Sequence, residues 1–210
     1  LMKTFQTFPS EKNFENWEVF NHDIYLKSTE TKQKEIRKAT CMARYDIEKD
    51  KKFSWMENYF LKDLDPETLK GKTLLDLGCF TGGRLSAWYE NYELEKAYGI
   101  DINPIFKLAA DEFASEKKIN ADFKIGIGEK LPYQDNFFDF IVSTDTFEHV
   151  QNLKITMDEC YRVLKPGGSL LAVFPQFLQP FESHLNFVTN LPCIHWFFNS
   201  DKVSKNYYEI

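Results

Sequence analysis

The residues best suited to chemistry lie in the run Leu74-Leu75-Asp76-Leu77-Gly78-Cys79-Phe80-Thr81-Gly82-Gly83. Its apolar opening reads as a strand that ends on an acid, Asp76. The chain then enters a turn where glycines remove the steric block to a close ligand. Such a turn directs backbone N–H groups, at the start of the next helix, toward a carboxylate or phosphate. Taken alone, the run could be no more than a structural turn. A second acid, Asp101, closes the next apolar run, 25 residues after Asp76. A carboxylate there can accept both hydroxyls of a ribose, and open α/β sheets bind ligands in the crevice at the carboxyl ends of their strands. The plainer alternative for Asp101 is a surface acid at a strand end.

These residues need elements to hold them. Residues 1–70 are rich in Lys and aromatics without strand-like alternation. There Tyr45, Phe53, Met56, Tyr59, Phe60 and Leu64 predict helices with an apolar side. Asp65-Pro66 breaks that pattern, and Pro66 can open one last short turn. From Gly71 short apolar runs alternate with amphipathic stretches, the pattern of βαβ units and a parallel sheet. Strands are expected over 73–77, 97–100, 123–127, 138–143 and 169–174, the last apolar enough to be central. A helix follows the glycine loop to about Asn91. Asn103 caps a second, with Pro104 at its first position and Ile105, Leu108, Ala109 and Phe113 at helical spacing. Asn152 caps a third, whose Leu153, Met157, Cys160, Tyr161 and Leu164 fall on one side, and Lys165-Pro166-Gly167-Gly168 stops it. Beyond Pro175 the chain is aromatic, with Phe177, Phe181, Phe187, Trp196, Phe197 and Phe198, and shows no repeat and no closing strand pair.

The 210 residues, 43% hydrophobic and 28% charged, suit one α/β domain with extra helices. The expected division is a helical cap region over 1–70, a core over 71–175 and an aromatic tail or start of an insertion over 176–210. Cys41, Cys79, Cys160 and Cys193 lie far apart without a C-x-x-C pair, which speaks against a zinc knuckle or a disulfide framework. No apolar run approaches the ~20 residues of a membrane span, and the start lacks a signal-peptide layout, so a cytoplasmic enzyme is expected. Leu1 ahead of Met2 reads as a cloning scar or a fragment edge. The net charge of −6 argues against a broad nucleic-acid footprint. Residues 27–52 nevertheless hold nine basic against five acidic side chains. That stretch is either a solvated helix face or a docking face for an acidic substrate.

The segments LLDLGCFTGG, YGIDINP, GEKLPYQDNFFDFIVS and YRVLKPGGSLLAVF, in this order and spacing, resemble the class I, seven-stranded, Rossmann-like methyltransferases that use S-adenosylmethionine. The likeness is to the branch of small-molecule and ubiquinone-biosynthesis enzymes, and it covers residues 71–175. It implies a doubly wound, mostly parallel sheet and S-adenosylmethionine as cofactor, with S-adenosylhomocysteine as product. By position, Asp76, Gly78, Cys79, Phe80 and Gly82 would form the loop around the methionine part. Asp101 would hold the ribose and Ile102 would pack on the adenine. Gly128 and Glu129 would flank the adenine edge, and Thr144 and Asp145 would lie near the sulfonium and amino group.

Two positions depart from the family pattern. Its middle glycine is Phe80 here, so the backbone is expected to avoid positive φ at that residue. The ring either packs or attracts a sulfonium by a cation–π contact. The acid often found before the Leu-Pro turn falls at Ile127, which leaves adenine recognition to Glu129 or to backbone groups.

Methyl transfer rests on alignment and exclusion of water, and an oxygen or nitrogen acceptor can also require removal of a proton. In Asp145-Thr146-Phe147-Glu148-His149-Val150 the candidates for that task are His149 and Asp145, although a histidine in such a turn can simply hold the loop. Asp145, Glu148 and His149, with His184, also offer donors suited to a metal, but a metal-free site is expected. Arg44 is the candidate cation for the carboxylate of the cofactor. The expected acceptor is a small molecule or sugar. With 36 residues after Phe174, the closing strand pair is expected to be missing, which would leave a sheet edge open to self-association. The competing classes are a non-catalytic binding protein on this scaffold and a nicotinamide-dependent oxidoreductase.

Overall fold

The computed structural model describes residues 20–50, 52, 54, 56–61 and 65–174. The region after Phe174, where the closing strand pair is expected to be missing, lies outside the described residues with its aromatic tail, as do Phe53, Leu64, His184 and Cys193. Five parallel strands form one sheet: β1 (Thr73–Leu77), β2 (Lys96–Asp101), β3 (Ala121–Ile125), β4 (Phe138–Thr144) and β5 (Leu164–Val173), in the order β3-β2-β1-β4-β5. The reversal of strand order beside β1 creates a crevice between the loops that leave β1 and β4.

Successive side chains of a strand point to opposite faces, which decides the two cores. Leu74 packs with Leu85 and Trp88 of α3 (Gly83–Asn91) and with Ala110 and Ala114 of α4 (Pro104–Lys117). Leu75 and Leu77 face the other way, toward Cys160 and Val163 of α5 (Leu153–Val163). The sheet is therefore doubly wound. The expected caps are in place: the side chain of Asn103 accepts the Ile105 N–H, that of Asn152 the Ile155 N–H, and that of Asp65 the Glu67 N–H at the short turn Pro66–Leu69.

Four expectations need correction. β3 begins and ends two residues early, and Ile127 instead forms an isolated antiparallel bridge with Lys130. β5 is an edge strand among the described residues, not a central one. Residues 165–168 do not sit between helix and strand: the chain is already paired with β4 at Leu164, and a register shift takes up the Pro-Gly-Gly segment before Ser169. Finally, α5 buries Thr156, Cys160 and Val163, while Leu153, Met157 and Tyr161 are exposed, Tyr161 to 84%. The helix is turned so that Thr156 meets Gly128, where an added Cβ would stand 2.8 Å from Thr156 Cγ2. Similarly, Leu108 on α4 is exposed and Tyr59 is exposed, whereas Ala109, Phe113, Tyr45, Met56 and Phe60 are buried as expected.

A further layer covers α3 and α4. It consists of α1 (His22–Lys27) and the 20-residue α2 (Glu30–Lys49), capped by Asn21 and Thr29. Cys41 and Tyr45 of α2 pack with Ala87 of α3 and with Ala109 and Phe113 of α4. Three of the nine basic side chains of this stretch pair with the acidic faces beneath it. Arg37 makes a two-pronged pair with Glu112 at 2.7 and 2.8 Å, Lys38 pairs with Glu116 at 2.6 Å, and Lys49 pairs with Glu90 at 2.9 Å. The guanidinium–carboxylate fork also fixes direction, which a lysine contact does less well.

α2 comes close to α3 at Gly83, where an added Cβ would lie 2.1 Å from the backbone oxygen of Cys41. Gly83→Ala should therefore separate α2 from α3 and lower stability by ~1–3 kcal/mol, the usual range for overpacking. Thermal or urea denaturation measures this, and a midpoint equal to that of the parent would contradict the described seat of α2.

Candidate functional site

A cavity of about 470 Å³ opens at the carboxyl ends of β1, β2 and β4. The loop after β1 is folded onto β2: the Gly78 and Cys79 N–H groups both donate to the Ile100 carbonyl, at 2.9 and 3.1 Å. Asp101 completes the attachment. Its Oδ2 accepts the Phe80 N–H at 2.9 Å and its Oδ1 the Asn103 N–H at 2.9 Å. Burial pushes this carboxyl up, against those backbone donors. A carboxylate has about four lone-pair sites, so both oxygens keep capacity for further donors in the cavity.

Phe80 overturns one expectation. Its φ is +51°, in the left-handed region, despite the lack of a glycine. Single residues held there cost ~1–3 kcal/mol and persist where their surroundings fix them. Here the fixing contacts are the Asp101 carboxylate and the Phe106 ring, whose centroid lies 4.3 Å from that of Phe80. The Arg44 guanidinium stands over the Phe80 ring at 5.4 Å. The ring thus packs between α4 and α2, and its cation is an arginine.

Asp76 is buried beneath this loop, 2% exposed, and its Oδ1 has no hydrogen-bond partner among the described residues. Burial pushes the carboxyl up to about 7, Asp101 and Glu48 add to the effect, and Arg84 opposes it. Thr81 Oγ1 is likewise buried without a partner at the cavity wall. Gly78 matters because the loop after β4 passes over it: an added Cβ would stand 2.0 Å from Thr146 Oγ1. Gly82 does not line the cavity; with φ +71° it turns the chain into α3 against Ala110 and Phe123.

The opposite wall comes from the other loops. Asp145 follows β4 with φ +51°, and its N–H is fixed by the Val173 carbonyl at 2.8 Å. Thr144 lines the cavity and accepts a hydrogen bond from Arg84 Nη1. His149 is 63% exposed on the open side, with Nε2 3.8 Å from Glu148 Oε1. Ile102, 70% exposed, and Ile127 give the β2 and β3 end an apolar rim. Gly128 and Glu129 line the same end, but Glu129 Oε1 accepts the Asn152 N–H at 3.0 Å, and this bond holds its carboxyl low. Arg44 of α2 is half-buried at the cavity. Burial and the neighbouring Arg84 lower its guanidinium to about 10, still charged at neutral pH.

Every expected site residue except Gly82 therefore meets at one cavity, Cys79 included, although its thiol is buried and pushed well above the usual range. Sequence reasoning missed Arg84, Thr81 and Thr146. Arg84 has a local signal, since it directly follows the Gly-Gly pair in the first turn of α3. Among the described residues no three His, Cys, Asp or Glu side chains gather into a group that could hold a metal, and no helix is long and apolar enough to cross a membrane.

Residues 75–172 match the family described as methyltransferase domain. Over those residues, just under half of its length, the chain is similar to class I methyltransferase domains. It is 36% identical over 109 residues to phosphoethanolamine N-methyltransferase 3 of Arabidopsis thaliana, covering 52% of this chain and 21% of that protein. It is 33% identical over 114 residues to a ubiquinone/menaquinone biosynthesis C-methyltransferase of Hydrogenovibrio crunogenus, covering 52% and 45%. The chain thus spans less than half the length of either curated relative. Among solved structures, the PH0226 protein of Pyrococcus horikoshii OT3 superposes with a TM-score of 0.52 at 25% identity, over 80% of this chain and 63% of that one.

The cofactor of such a methyltransferase domain is S-adenosylmethionine. Its chemistry fits the donor set: a buried carboxylate oxygen without a partner for an ammonium, an arginine for a carboxylate, a strand-end acid for a ribose, and an apolar rim for a base.

Asp76 makes the stability of the protein sensitive to pH. Between the ordinary aspartate value of 3.8 and about 7 the folded state holds a proton that the unfolded state has lost. Stability without ligand therefore falls as pH rises through this window, by at most ~4 kcal/mol from this group. In urea denaturation, Asp76→Asn should flatten that slope; a variant with the slope of the parent would count against a buried, raised Asp76.

Proposed function

We propose that this protein transfers a methyl group from S-adenosylmethionine to a small-molecule acceptor. The observation that carries the reading is the pairing of Asp76 Oδ1, buried without a partner, with the Asp101 carboxylate across one glycine-turned loop. Asp101 would accept ribose hydroxyls, and Ile102 and Ile127 would flank the adenine, with Gly128 and Glu129 at its edge. Asp76 would accept the ammonium, while Arg44 and the loop N–H groups near Gly78, Cys79 and Phe80 would serve the carboxylate. Thr144 and Asp145 would border the reacting end.

When bound, S-adenosylmethionine supplies an electrophilic methyl group on a positively charged sulfur. The task of the protein is alignment and the exclusion of water. For an oxygen or nitrogen acceptor, His149 would take the proton, with Asp145 as the second candidate. One relative is named for transfer to nitrogen and another for transfer to carbon. These names support a small-molecule acceptor without narrowing it to an oxygen or nitrogen, or to a sugar.

Calorimetry with S-adenosylhomocysteine tests the cofactor assignment. The parent should bind it, and Asp101→Ala should weaken binding by about tenfold or more, as for loss of hydrogen bonds to a charged group. Equal affinity in parent and variant would remove Asp101 from the site. Methyl release over a panel of amine, phenol and hydroxyl acceptors tests the activity.

A further inference from the structure

Behind the cavity wall runs a buried ionic chain that begins in α2. Glu48 is 1% exposed, yet its carboxylate is well served. Oε2 accepts from Ser54 Oγ at 2.7 Å and from Trp88 Nε1 at 2.8 Å, and Oε1 lies 3.3 Å from Arg84 Nε. The backbone oxygen of Glu48 accepts from Asn91 Nδ2 at 2.9 Å, so both ends of α3 are tied to this one turn of α2. Arg84 is mostly buried as well. With Nε toward Glu48, its Nη1 donates to Thr144 Oγ1 on the cavity wall.

Two buried carboxylates thus feel the charge of one guanidinium, which makes its ion pair with Glu48. Asp76, close enough to feel the charge of Arg84, keeps an oxygen without a partner, while Arg84 is engaged by Glu48 and Thr144. A guanidinium carries only donors, so the Thr144 hydroxyl accepts from it and must direct its own proton elsewhere.

We infer that Glu48 is a positioning residue for the cofactor site: it holds Arg84 against α2 and Thr144 and so keeps that guanidinium from closing on Asp76. Asp76 Oδ1 and the Thr144 hydroxyl proton then stay open to the ammonium and carboxylate of a ligand bearing an amino acid. The inference rests on the cofactor reading above and adds α2 to the site. It also separates the two ends of the ligand, because Glu48 acts on the amino-acid end and not on the ribose and base.

The test compares S-adenosylhomocysteine with adenosine, which lacks the amino-acid part, by calorimetry on the full chain. Glu48→Gln should weaken S-adenosylhomocysteine by about tenfold or more and leave adenosine within about twofold of the parent. Arg84→Lys, which cannot serve Glu48 and Thr144 with one planar fork, should show the same selective loss and serves as the second variant if Glu48→Gln does not fold. Parallel losses for both ligands would assign Glu48 a structural role and overturn the inference, as would unchanged S-adenosylhomocysteine affinity. A parent that binds neither ligand would instead overturn the cofactor reading itself.

Discussion

The hydrogen bond from the Phe80 N–H to Asp101 Oδ2 is the junction on which the site depends. It closes the loop of one strand onto the end of its parallel neighbour, and it explains why a phenylalanine tolerates a left-handed backbone there. The register that pairs Asp76 with Gly99 brings the two strand ends level, so one loop can be held from below by backbone and from the side by a carboxylate. Without that attachment the glycines would give the loop freedom but no shape.

Strain and burial gather at the same place. Phe80 and Asp145, both in the left-handed region, line the cavity together with Asp76, one oxygen of which has no partner among the described residues. Such features cost stability in a protein that binds nothing, since unpaired buried polar groups and unfavourable dihedrals are not compensated locally. The α2 layer offsets part of this through its ion pairs to α3 and α4 and through the carboxylate of Glu48. A helix outside the sheet therefore shares in shaping the crevice.

Much of the sheet was legible in sequence because its signals are local. The 73–77 strand, the Asn103-Pro104 and Asn152 caps and the Asp65-Pro66 turn fall where side-chain chemistry dictates. The failures share one cause, contacts distant in sequence. The exposed stripe of α5 reads as apolar from Leu153, Met157 and Tyr161, yet the close approach of Thr156 to Gly128 turns the helix otherwise. At Phe80, residue type argues against positive φ, and an acid 21 residues away decides for it. Arg84 was passed over because its meaning comes from Glu48 and Thr144, neither near it in the chain.

In the proposed function, Asp76 and Asp101 serve a single ligand across this loop. A crystal structure of the protein with S-adenosylhomocysteine tests it most directly. Ribose hydroxyls are expected on the Asp101 carboxylate and the amino group at Asp76, with Phe80 still left-handed. Ligand density elsewhere, or a loop that leaves Asp101 and takes an ordinary φ at Phe80, would contradict it.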